Sequence, residues 1–263
     1  MRIGRTYFLL ISGAFLLGGT LTVAIAGEER SSPERSVIEI RRCQTIDQPG
    51  SYIVVRNLKA SGDCLVITVD GVTLDLNGFT LTGDGSGTAI KGPEVPPKTL
   101  PAIRTTVRNG HITHFARAAD LSGTVDAVYA VSNGEGIVVG VGIVKDCIAQ
   151  FNTGNGIALH DGLVSGNLVV ANGIGIAVDE AAVVTGNEVS GNKKGIDAKG
   201  LGSGLSHNVV DGNSEIGLLV QCPANLSNNT AVGNGPVDAP MNLVLVKPPP
   251  PQPPCLSSGN LAP

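Results

Sequence analysis

The sequence predicts an all-β, single-domain solenoid in which short parallel strands coil into a rod. Three observations carry this. A Gly followed by an aliphatic residue recurs at Gly136-Ile137, Gly156-Ile157, Gly175-Ile176, Gly195-Ile196 and Gly217-Leu218, spaced 20, 19, 20 and 22 residues. Pairs of Asn five residues apart interleave with it at Asn167/Asn172, Asn187/Asn192, Asn208/Asn213 and Asn229/Asn234, with Cys147/Asn152 opening the series. Each repeat is rich in Val, Ile, Gly and Asn, and alternates in runs such as Ile157, Leu159 against Ala158, His160. A fixed period near twenty means one unit stacked on itself, too short for two packed helices and long enough for three short strands with three turns.

Stacking at about 4.8 Å per rung puts equivalent side chains above one another. An amide repeated at one turn position then donates to one neighbouring rung and accepts from the other, so the Asn series reads as turn architecture. Gly supplies the positive φ that such turns need. Upstream the pattern drifts. Asn77-Gly78 and Asn109-Gly110 fit the first Asn slot, while Gly87 to Ile90 and Ala118-Ala119 fit the Gly-aliphatic slot. The stretch Gly92 to Thr99 is too rich in Pro for a strand and reads as an inserted loop. Residues 37–245 give about eight or nine coils and a rod on the order of 40 Å long.

Residues 1–26 have the pattern of a secretory signal peptide: Arg2 and Arg5, an apolar run from Tyr7 to Val23, and Ala24-Ile25-Ala26 as a small-x-small cleavage site. Residues 27–36 read as a disordered, polar lead-in. No run after Ala26 is long and apolar enough to span a membrane. A secreted or periplasmic protein is expected. Loss of Arg2 and Arg5 takes the 18 basic residues to 16 against 22 acidic ones, a net charge of −6. That balance argues against nucleic acid as a partner.

Five Cys in an exported chain suggest two disulfides and one free thiol. By position, Cys43 with Cys64 and Cys222 with Cys255 flank the two ends, and Cys147 falls in the Asn ladder as a buried thiol; sequence alone does not fix the pairing. Both ends of a solenoid expose strand edges. Val37 to Lys59 is expected to cover the first edge. In the C-terminal tail 246–263, the Pro-rich run Lys247 to Pro254, unable to donate along a ladder and tethered through Cys255, is expected to cap the other.

Val72-Thr73-Leu74-Asp75-Leu76-Asn77-Gly78-Phe79, Val107-Arg108-Asn109-Gly110-His111-Ile112 and the coils from 136 to 235 resemble the right-handed parallel β-helix repeat proteins. That superfamily includes pectate lyases, alginate epimerases and many exported bacterial proteins. The resemblance covers nearly the whole mature chain and implies a single-stranded right-handed parallel β-helix with disulfide-linked end caps. It is specific for fold and not for activity, so function rests on a site.

With Ile157/Leu159, Ile176/Val178, Ile196/Ala198 and Leu218/Val220 facing inward, one outer column reads Ser122, Gly140, His160, Asp179, Lys199, Gln221. The other reads Asp120, Val138, Ala158, Ala177, Asp197, Leu219. His160, Asp179, Lys199 and Asp197 are therefore expected on one face as candidate catalytic residues. Lys199 could neutralise a uronate carboxylate, His160 or Lys199 could act as base, and Asp179 could orient the imidazole. The same residues also suit a solvated charge ladder worth about a few tenths of a kcal/mol. The pair His160-Asp161 resembles a His-Asp pair of alginate epimerases, although its flanking residues differ from the fuller motif; the pectate-lyase aspartate cluster has no counterpart.

Arg108 and His111 flank a turn and form a second candidate anion site, with Arg104, His114 and Arg117 nearby; His114 falls in a ladder slot where burial is expected. No metal is expected, because His111, His114, His160 and His207 are not at ligand spacing and the Cys are better used as bridges. No cofactor is expected either. Without Trp, and with Phe79, Phe115 and Phe151 at turn positions suited to internal packing, little aromatic surface is expected for sugar stacking. The expected function is a non-catalytic binding or structural module at the cell envelope, with an acidic polysaccharide or another envelope component as partner. The alternative is a uronate lyase or epimerase using the His160/Asp179/Lys199 face.

Overall fold

A computed structural model describes residues 37–93, 105–247 and 253–263. The segments expected as signal peptide and lead-in, Arg104 and most of the expected loop lie outside the described residues.

The described residues form 25 strands and no helix. Every pairing between them is parallel and joins a strand to its equivalent one coil later, giving a parallel β-solenoid of about nine turns. This is consistent with a β-helix repeat protein. Each full turn has three faces, as in Gly204–Ser206, Val209–Asp211 and Ile216–Gln221, which we call the first, second and third. In Arg117–Val131, Glu135–Lys145 and Asn155–Ser165 the third face runs unbroken into the first through Gly123, Gly142 and Gly162. A Cβ on Gly142 would stand 1.8 Å from the Gly123 carbonyl oxygen, which explains why the bend keeps Gly.

The core is a stack of aliphatic columns. On the third face it runs Leu65, Ile90, Ala119, Ile137, Ile157, Ile176, Ile196, Leu218, all buried and in register. Val72 to Leu76 and Val107 continue the same logic upstream on the first face. Ala118-Ala119 stands level with Gly136-Ile137, as the repeat predicts.

Two buried Asn ladders line the turns. One runs from Asn133 through Asn152, Asn172, Asn192, Asn213 and Asn234 to Asn242, with Nδ2-to-Oδ1 distances of 2.7–3.2 Å. The other joins Asn167, Asn187, Asn208, Asn229 and Asn260 at 2.9 Å per step. The residue before each ladder Asn other than Asn242 sits in the left-handed region, and it is often not Gly: Phe151, Ala171, His207 and Asn228 have φ of 53–56°. The upstream Asn differ from the expectation. Asn77 and Asn109 occupy this left-handed position (φ 53° and 64°), and the following Gly110, level with Val128, stands in the ladder column. A Cβ there would meet Leu76 at 2.3 Å, so packing excludes an amide.

Cys43–Cys64 and Cys222–Cys255 are bridged, near the two ends, and Cys147 is a buried free thiol in the ladder. Disulfides persist outside the reducing cytoplasm, so the two bridges indicate a non-cytoplasmic location. Among the described residues no helix is long and apolar enough to cross a membrane.

At the N-terminal end Ile38–Ile40 pairs with Gly50–Val54, and Gln44–Ile46, Gly50–Val54 and Leu58–Lys59 pair with the strands of the following coil, so this segment lies along its edge. The C-terminal tail also joins the ladder. Leu256–Ser258 pairs with Asn225–Ser227, Asn260 extends an Asn ladder, and Leu261 bridges Thr230. The Pro run stops short of this strand, so backbone donors are available to it.

Candidate functional site

The third face carries the columns read from the sequence. Asp120, Val138, Ala158, Ala177, Asp197 and Leu219 stand in register on successive rungs. Beside them, Asp179 N–H donates to Leu159 O at 3.2 Å and Lys199 N–H to Val178 O at 2.9 Å, so His160, Asp179 and Lys199 follow in the neighbouring column.

Contact between the four is looser than their register. Lys199 Nζ lies 4.0 Å from Asp179 Oδ1, with both side chains 62% exposed. Such a pair gains little in water. His160 is exposed, and no hydrogen bond among the described residues orients its ring. Asp197 is different: it is 2% exposed, its Oδ2 is 3.9 Å from Lys194 Nζ, and its Oδ1 is buried without a hydrogen-bond partner. An unsatisfied buried carboxylate oxygen is costly. Lys194, which the sequence reading passed over, stands three residues before Asp197 on the same strand.

Beside Asp120, in a column that continues upstream through Lys91 and Val66, lies a hollow of about 360 Å³, lined by Lys91, Pro93, Asp120, Leu121, Ser122 and Gly140. Asp120 is held by an ion pair with Arg117, and Ser122 Oγ accepts from Val141 N–H at 3.2 Å. Gly140 in an outward column of otherwise larger residues was the signal in the sequence for this depression.

Arg108 and His111 stand on different faces, either side of Asn109-Gly110. Arg108 Nε is 3.0 Å from Asp75 Oδ2 on the first face, in a column continued by Asp126 and Lys145, whose own ion pair is 2.9 Å. His111 is on the second face, its ring stacked on Tyr129 with centroids 4.6 Å apart. His114 is exposed at φ 59°, not buried, because it fills the left-handed turn position next to the ladder column. Phe151 fills the same position and is 60% exposed, which corrects the expectation of internal packing; Phe115 is buried as expected.

Among the described residues there is no group of three or more His, Cys, Asp or Glu that could hold a metal ion. No protein-family model matches the chain, and no curated protein matches it. The fold therefore stands on the geometry of the rungs alone.

Proposed function

We propose that this protein is an exported β-helix module of the pectate-lyase-like superfamily that holds an acidic polysaccharide, or a similarly extended envelope component, without turning it over. One observation carries the reading. On the third face Ala158 and Ala177 stand in register on successive rungs, and the exposed His160, Asp179 and Lys199 follow beside them in a row along the solenoid axis. Lys199 gives up little in leaving its loose partner Asp179 for a sugar carboxylate. General-base catalysis asks for an oriented base in a site that excludes water, and His160 and Lys199 are both open to solvent. The leader-like residues 1–26 and the disulfides support export to the periplasm or the medium.

A lyase or epimerase is the second reading, favoured by the buried, unpartnered Asp197 oxygen within the same columns. Proton NMR of alginate, pectate and hyaluronate incubated with the mature protein separates the two. Line broadening without new signals is the outcome expected for a binding module. A vinylic or new anomeric signal that disappears in Lys199→Ala would establish the enzyme.

A further inference from the structure

We propose that the second face is where two copies of this chain pack together, as a two-fold dimer with antiparallel solenoid axes centred between the Tyr129 and Ile148 rungs.

The outer columns of that face carry the inference. Tyr129, Ile148 and Leu168 follow one another in one column, and Val131, Gln150 and Val170 in the other. His111 continues the first column upstream, its ring stacked on Tyr129. Both rings are exposed, Tyr129 by 39%, and Phe151, one residue beyond Gln150, stands exposed at the corner. From the Thr80–Thr82 rung to the Leu168–Val170 rung no Asp, Glu, Lys or Arg enters either column. Such a run of aromatic and aliphatic side chains open to water marks an interaction surface. Most of it is Ile, Leu and Val, which offer nothing to the hydroxyls of a sugar, so another protein surface fits it better.

The charges beyond both ends of this run identify the partner as a second copy. Lys59 lies three coils before Val131 in the second column, by way of Thr82 and Thr113. Asp211 lies three coils after Gln150 in the same column, by way of Val170 and Ser190. Both are exposed, and among the described residues neither has an ion-pair partner in its own chain. A two-fold axis along the strand direction keeps each column opposite itself and reverses the order of rungs. Tyr129 then faces Ile148 of the second copy, Val131 faces its Gln150, and Lys59 faces its Asp211, each contact being made twice. In the first column Glu188, two coils after Ile148, comes opposite Thr80, two coils before Tyr129, whose hydroxyl can donate to it. Packed sheet faces lie about 10 Å apart, a gap that a Lys and an Asp side chain span together. The third face of each copy stays open, so the dimer presents two rows of His160, Asp179 and Lys199.

Sedimentation velocity of the mature protein, from micromolar to millimolar, is the test. It compares the native chain with Ile148→Lys, Lys59→Glu, Asp211→Lys and the double charge exchange, each verified as folded by circular dichroism. The native chain is expected to pass reversibly from monomer to dimer and no further, and Ile148→Lys to stay monomeric. Lys59→Glu and Asp211→Lys each set like charges opposite one another and are expected to raise the dimer Kd about tenfold. The double exchange is expected to restore it, and high salt to shrink the effect of each charge. A native chain that stays monomeric throughout, or grows past the dimer, would overturn the proposal. So would a dimer that Ile148→Lys leaves intact, or one whose Kd does not follow the charge exchanges.

Discussion

Asn187 Nδ2 donates to Asn208 Oδ1 at 2.9 Å, and the Asn187 main-chain N–H donates to the same oxygen at 3.1 Å. One buried oxygen therefore satisfies two donors from the preceding rung, and the second donor direction of each amide returns to backbone carbonyls such as Val164 O at 3.1 Å. The ladder links rungs that share no covalent continuity over about twenty residues.

Asn187→Ala removes the acceptor that serves both Asn167 donors, at 3.0 and 2.9 Å. It leaves a buried main-chain N–H unpaired, and the expected loss is about 2–4 kcal/mol. Denaturant midpoints with an unchanged slope measure it. A loss within about 0.5 kcal/mol would show that water replaces the amide there.

Cys147 stands at the upstream start of that ladder. Its Sγ accepts from Val128 N–H at 3.5 Å and faces the carbonyl oxygens of Lys145 and Val125 at 3.1 and 3.6 Å, while its own N–H donates to Asn167 Oδ1 at 2.9 Å. An amide at this position can donate to Asn167 Oδ1 and to a carbonyl and can accept from Val128 N–H, lacking only a side-chain donor from the preceding rung. Cys147→Asn is expected to stabilise by about 0.5–1.5 kcal/mol, raising Tm by about 2–4 °C per kcal/mol in a domain of this size. Lower stability would mean that Val128 leaves too little room.

The same thiol gives a pH signature. Burial pushes it up to about 12, whereas an exposed thiol titrates near 8.5. Between those values the folded chain keeps a proton that the unfolded chain has lost. The thiol's contribution is thus complete below about pH 8.5 and is lost as pH rises toward 12. The denaturant midpoint of the native chain is expected to fall through this window more steeply than that of Cys147→Ser. Parallel curves for the two would remove Cys147 as the cause.

The fold was legible because the repeat reports it several times over. Gly136, Gly156, Gly175 and Gly195 mark one slot, and the Asn series marks another, so errors at one rung are corrected by the next. The same redundancy fixed the inner and outer columns around Ile157 and Ile176. Legibility failed where a position is defined by backbone conformation. Phe151 and His114 share a left-handed slot with Gly191 and Gly212, and nothing in an aromatic or imidazole announces that conformation. Aligning Phe151 with Ala171 and Gly191 would have shown that its slot points outward. The burial of Asp197 was not legible either, since Asp120, Val138, Ala158 and Leu219 in the same column are only half-buried.

The C-terminal bridge holds a tail that pairs along the last edge as a strand. Cys222 and Cys255 are 33 residues apart, and closing a loop of that length contributes about 4 kcal/mol by chain entropy. Cys222→Ala with Cys255→Ala is expected to release Leu256–Ser258 first. Amide exchange would then speed up at Asn229 and Ala231, whose N–H groups donate to Asn260 Oδ1 and Leu261 O. Unchanged protection at those two amides would show that Asn260 holds the tail without the bridge.

Asp179 and Lys199 separate stability from binding. At 4.0 Å and with both side chains largely exposed, their pair is expected to contribute under about 0.5 kcal/mol, so Lys199→Ala leaves the melting curve almost unmoved. Polysaccharide binding by the third face has the opposite sensitivity, because an incoming carboxylate uses the same ammonium. Lys199→Ala is expected to weaken binding of polygalacturonate by about tenfold at low salt. Raising the ionic strength should shrink the difference between the two proteins as exposed charges are screened. Asp179→Asn frees Lys199 from its partner and removes a negative charge beside it, so it should tighten the same binding. Equal affinities for all three proteins, with all three folded, would take this column out of the binding surface.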